Sequence, residues 1–363
     1  SIISSGQLLF ESFGNSFSAA FSLSNLTLSN ALTGLTIGKS TNTSDITIGS
    51  ATTIAGPINL FGSALAINAP LTATNNTVNL FASGAVTQTG AITANSLGLN
   101  GTGTFTLTNS ANNFVTVAGG NTTTKLSSLS LTDASSGLTI GTVGSESGIT
   151  ASGLISVETL SGDLTLSENI STTNTTSNAI ILNAGKSSAI GTTTGGDILV
   201  TGTPTITVGT GGTAKLFSGS STASTGLSTL VGGTANTRLD ADETTTTFNP
   251  VLSAGTYALY RQSSAVAPVI SSFSPTTAGN GETVVITGTG FTGVSIVKFG
   301  NVNATSFTVD SDTQITAVVG AAASGSVLVQ NIAGNDTEVG FLFKVLELKF
   351  EGNTLDQTAA NRD

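Results

Sequence analysis

The sequence contains no cysteine, methionine, histidine or tryptophan, and only two tyrosines in 363 residues. Without cysteine it has neither disulfides nor thiolate sites; this does not assign a reducing compartment, because a long β-structure folds without staples. Without histidine or cysteine, the usual general base and nucleophile-activating pairs are missing. Charge is scarce too: 8% of residues are charged, with a net of −10. Nucleic acid, whose phosphates need clustered Lys and Arg, is excluded as a partner. No run approaches the ~18 apolar residues of a membrane span, so no membrane insertion is expected. The chain opens on Ser1, which points to a processed or partial chain, and no signal peptide is visible at this end.

What is present is rhythm. The tetrapeptide Ile58-Asn59-Leu60-Phe61 returns as Val78-Asn79-Leu80-Phe81. From Ser1 to Arg261, short stretches such as LTIG (35–38), ITIG (46–49), LAIN (65–68), FTLT (105–108) and IILN (180–183) alternate apolar residues with Ser, Thr or Asn. That is the period-two signature of strands with one buried face, and no segment carries a capped 3.6-residue period. Self-similarity at a fixed spacing predicts a solenoid, in which each rung buries its apolar face against its neighbours. Residues 1–261 are therefore expected to form a right-handed parallel β-solenoid of roughly ten to twelve rungs, a rod on the order of 50 Å long. Ile58 should stack on Val78, and Asn59 and Asn79 should occupy equivalent places. The rival structure is a chain of small β-sandwiches, hinted at by the return of GLTIG at 34–38 and 137–141.

The run GLTIGKSTNTSDITIGSATTIAGPINLF, continued by ASGAVTQTGAITANSLGLNGTGTFTLTNSANN, resembles the repetitive passenger regions of very large bacterial surface proteins. These include filamentous-haemagglutinin-like and autotransporter-like adhesins and giant surface proteins of gliding bacteria. The resemblance implies an extended stalk on the bacterial cell surface, outside the cell. Host, surface or glycan receptors would be bound through domains outside this fragment, and chains would self-associate into bundles or filaments.

Residues 268–345 read as six or seven short strands with turns every eight to twelve residues, the profile of a small β-sandwich. They also resemble the Ig-like IPT/TIG domain, through Pro268, Ile270, Phe273, Pro275, Gly279, Gly281, Val285, Ile286, Gly288, Gly290, Phe291, Val297, Phe299, Gly300, Phe307, Ile315 and Gly325. The domain is assigned to 262–345. Its only cations are Lys298 and Lys344, so the basic loops of the DNA-binding relatives are missing. Residues 346–363 resemble the first strand and turn of LamG-like, concanavalin-type domains through Leu348, Phe350, Gly352, Asn353 and Asp356; the alternative is a linker.

Candidate sites are few. Asp240, Asp242 and Glu243 in RLDADE offer oxygen ligands for Ca²⁺, against the alternative of a solvated acidic end. Asp163 and Glu168 are the nearest approach to a carboxylate pair, but nothing marks a cleft between them. The Gly-rich GTGGTAK (209–215) lacks the GxxxxGK[ST] pattern of a phosphate loop. DSD (310–312) reads as a turn, and Tyr257 and Tyr260 as the closure of the last rung. The solenoid shows no aromatic patch. These observations favour a structural stalk without enzymatic activity. A solenoid that binds ice or polysaccharide is the alternative, with a β-helix polysaccharide-degrading enzyme behind it.

Overall fold

The computed structural model describes residues 6–264, 266–331 and 333–345. The chain divides into two compact units, Ser1–Gln262 and Ser263–Asp363. Its fold class is all-β, a parallel β-solenoid followed along the chain by an Ig-like β-sandwich. The described helical pieces are a single turn, Leu227–Leu230, and a 3₁₀ turn, Thr234–Asn236.

In the first unit, two long ladders run through the stack. One holds nine strands from Gln7–Phe10 to Ile198–Val200; the other holds eleven, ten from Phe21–Leu23 to Gly255–Tyr260 and the short Thr237–Arg238 paired beyond it. Every pairing within them is parallel; the one antiparallel pair described in this unit is a small hairpin, Thr142–Val143 with Glu146–Ser147. The chain-of-sandwiches alternative therefore fails. Ile58 stacks on Val78, Leu60 on Leu80 and Phe61 on Phe81, in register. Inward residues such as Ile58, Leu60, Val78 and Leu80 are fully buried, each worth ~1.5–3 kcal/mol relative to an exposed side chain. Together they form one continuous core from Leu23 to Tyr260.

A third, shorter ladder changes sides. In the early rungs it comes after the second ladder and before the first, as Thr52–Ile54 paired to Leu71, Thr72 and Ala73, and these in turn to Ile92, Thr93 and Ala94. Past Gly119, which pairs Ile149, it follows the first ladder and precedes the second, as Ile149–Ala151, Ile170–Thr172 and Ile206–Thr207. The corner between first and second ladders is consequently tight in the early rungs, at 63–64, 83–84 and 101–103, and thick where the order flips, at 120–127.

Rung length also drifts. It is 20 residues between Asn59 and Asn79 and 34 between Asp163 and Asp197. The lengthening toward the C-terminal end explains why there are nine or ten rungs rather than up to twelve.

The second unit is a two-sheet sandwich. One sheet orders Val269–Ser274, Thr283–Thr289, Gln314–Val318 and Ser306–Ser311, all antiparallel. The other contains Thr277–Ala278, Gly334–Phe343, Gly325–Asn331, Ile296–Phe299 and Val302–Asn303. Phe273, Phe299 and Phe341 meet at its centre, with Phe299 and Phe341 ring centroids 4.8 Å apart. Val284 and Ile286 are buried while Val285 between them is not, as alternation along a strand demands. The LamG-like reading of residues 346–363 lies outside the described residues.

Candidate functional site

The acidic stretch near the end of the solenoid has a use that sequence reasoning missed. Arg261, fully buried, follows the last strand of the second ladder. Its Nη1 donates to Ala184 O at 2.8 Å and its Nη2 to Gly196 O at 2.7 Å. Burial draws the guanidinium's pKa down, while the negative fields of Asp197, Glu243 and Asp242 hold it up. Two of the three residues proposed as Ca²⁺ ligands, Asp242 and Glu243, thus lie within electrostatic reach of an internal arginine.

The three do not converge. Asp242 Oδ1 accepts from Thr244 N and Oγ1 at 2.9 and 2.7 Å, and from Thr245 Oγ1. Burial opposes its ionisation, but those bonds prevail and its pKa is lowered. Glu243 accepts from Asn183 Nδ2 at 3.2 Å, and Asp240 sits at a left-handed backbone position, φ 53. Among the described residues no group of three or more Asp, Glu, His or Cys side chains is gathered as a metal site.

Other acids of the solenoid tie one rung to the next. Asp163 Oδ1 accepts Asp197 N at 2.8 Å, and Asp197 Oδ1 accepts Ser220 N at 2.8 Å. Asp133, fully buried, accepts Phe114 N at 2.8 Å and Ser135 N at 3.0 Å; burial nevertheless raises its pKa. Glu168 accepts Thr142 Oγ1 at 3.4 Å, so Asp163 and Glu168 serve different partners. In GTGGTAK the glycines make a turn into the strand Thr213–Ser218, and Lys215 Nζ donates to Asn178. Tyr257 and Tyr260 are buried in the last strand of the second ladder, with Arg238 over the Tyr257 ring at 5.4 Å. In the sandwich, Asp312 of the DSD turn accepts Thr292 N, Thr292 Oγ1 and Gly290 N, pinning one loop.

A concavity lies on the tight corners of the early rungs. It is a groove of about 630 Å³, bounded where the corners thicken. Lys39–Thr43 form one end; Asn121, Thr124 and the hairpin bearing Glu146 form the other. Between them lie Phe61 and Phe81, stacked with centroids 4.1 Å apart and planes 11° from parallel, followed in register by Asn100. This half-exposed ridge corrects the expectation of a solenoid without an aromatic patch. The signal was available: once the INLF and VNLF repeats stack, their phenylalanines must too. Beside the ridge runs a polar column, Thr36, Asn59 and Asn79, in which Asn59 donates to Thr36 at 3.3 Å and Asn79 to Asn59 at 2.9 Å. The column stops at Gly98, where an added Cβ would lie 2.3 Å from Asn79 Oδ1 and 3.4 Å from Val143 of the hairpin.

The architecture defines two classes of module: a parallel solenoid and an Ig-like sandwich. Comparison with known families identifies the second: residues 268–344 match the IPT/TIG domain. No curated protein matches the chain. An IPT/TIG domain fits a surface or extracellular protein. Among the described residues no helix is long and apolar enough to cross a membrane.

Proposed function

We propose that the chain is a structural stalk of a secreted bacterial surface adhesin or surface filament, holding binding domains carried elsewhere in a larger protein away from the cell. The observation that carries this is the unbroken core from Leu23 to Tyr260, reinforced by carboxylates spent on inter-rung bonds. Such a stack transmits position from end to end and leaves little chemistry free. The IPT/TIG domain accompanies it as a second rigid module. Receptors on a host, a surface or a glycan are met by those other domains, side-by-side association bundles the stalks, and no reaction is assigned to the chain.

The test replaces residues 6–262 of the surface protein, in the cell that makes it, with an unrelated solenoid of equal rung number. Display and attachment should survive. Loss of attachment with display intact would make the solenoid itself the adhesive element and end the stalk reading.

A further inference from the structure

The early-rung groove has the composition of a ligand site rather than of a plain stalk surface. Its volume falls within the ~300–1,000 Å³ of small-ligand clefts. Its floor joins an apolar ridge, Phe61 and Phe81, to polar side chains that make no hydrogen bond to another described residue: Asn100, half-buried, with Ser83 and Thr102 exposed beside it. Charge is confined to the two ends. Lys39 Nζ donates to Ser12 O at 3.2 Å at one, and the buried Glu146 accepts from Asn121 Nδ2 at 3.2 Å at the other.

We infer that this groove binds a short segment of neutral polysaccharide, two or three sugar units lying along the stack. An apolar strip flanked by amide and hydroxyl groups matches a sugar, whose ring carries apolar C–H groups and whose rim carries hydroxyls. The rungs repeat every ~4.8 Å along the groove, close to the length of one pyranose in an extended chain, so successive sugars meet successive corners. A polyanion is disfavoured by the chain's net charge of −10 and by Glu146. An extended peptide would need free backbone groups, whereas the floor's backbone is already paired in the ladder.

The inference is independent of the stalk reading: a stalk that carries an auxiliary sugar site still passes the replacement test above, and a stalk without one passes it too. The experiment is calorimetric titration of the purified 363-residue chain with neutral β-glucan, xylan and α-glucan oligosaccharides of two to four units. Sulfated and uronic-acid oligosaccharides and a four-residue peptide serve as comparisons. At least one neutral series should bind and gain affinity up to three units. Phe81→Ala should weaken it about tenfold, the size of a lost aromatic contact. Asn100→Ala, on a half-buried side chain without a protein partner, should weaken binding severalfold with the melting temperature unchanged, which keeps the test decisive if Phe81→Ala unfolds. Absence of binding by every neutral series, stronger binding of the acidic chains or the peptide, or affinity unchanged in Asn100→Ala would overturn the inference.

Discussion

The solenoid and the sandwich are both all-β, yet they hold their strands by opposite means. In the solenoid each strand pairs with the rung before and the rung after, and a residue's partners lie about one rung away in sequence. In the sandwich, strands join across the whole unit, as when Ile270 N donates to Asp336 Oδ2 at 2.7 Å, 66 residues on. The solenoid is modular along its length, whereas the sandwich closes only when complete. Their charges differ in the same spirit. Asp133, Asp163 and Asp197 of the solenoid tie rung to rung, while Asp312 and Glu282 hold the sandwich's surface turns.

The largest expected difference comes from deletions. Removing residues 58–77, one whole rung, sets Val78 over Leu35 and should leave a folded, shorter solenoid. Removing Gly325–Asn331, which pairs on both sides, should abolish the sandwich's transition altogether. Calorimetry on both variants checks this, and a solenoid that fails to fold without the rung would break the claim of modularity. Next is Arg261→Met. It strips two buried carbonyls, Ala184 O and Gly196 O, of their donors, a loss of about 1–3 kcal/mol for each. The solenoid melting transition should drop while the sandwich transition stays; equal shifts in both would show that the two units melt as one.

Acid should then separate the units. The Lys344 hydrogen bond depresses the Glu282 pKa, and Thr292 depresses that of Asp312. Carboxylates lowered in the fold lend stability above their unfolded pKa and lose it as pH falls through the folded value. The sandwich should therefore weaken below the ordinary values of 4.5 and 3.8. In the solenoid Asp242 follows that sign, but Asp133, raised by burial, has the reverse one, its stability being lost as pH rises. Acid should melt the sandwich first in a pH series of melting curves, and Asp312→Asn should flatten its profile. The smallest effect is expected from Asn79→Ala, which removes one bond of the Asn column and should cost about 1 kcal/mol by chemical denaturation, with no change in the sandwich.

The legibility of each region in the sequence follows from the same contrast. Ile58 over Val78 and Asn59 over Asn79 were readable because the intervening corner is short and repeats, so sequence spacing is spatial register. The sandwich strands were readable from alternation, although Gly334–Phe343 begins before the expected residue 339, since its polar first half pairs as an edge would without an apolar signal. The switch of the third ladder was not readable: Gly119 meets Ile149 thirty residues on, and nothing local marks which corner a given rung will thicken. The role of Asp242 and Glu243 was hidden for a similar reason. Arg261, whose charge feels theirs, lies beyond the strand Gly255–Tyr260, and closely spaced acids look alike whether they hold a cation from solvent or face one built into the chain.

The drift in rung length acquires a mechanical meaning when the stack is loaded. Its ladder hydrogen bonds run along the axis, so a pull on the two ends of the unit peels rungs one after another instead of shearing them together. At ~3.5 Å of extended chain per residue, a 20-residue rung such as that from Asn59 to Asn79 releases about 70 Å. A 34-residue rung such as that from Asp163 to Asp197 releases about 120 Å. The solenoid is thus an extensible tether with unequal steps, in the first ladder 27 residues from Gln7 to Gly34, 20 from Ile58 to Val78 and 34 from Leu164 to Ile198, dissipating work at each step while the rungs still standing keep their register.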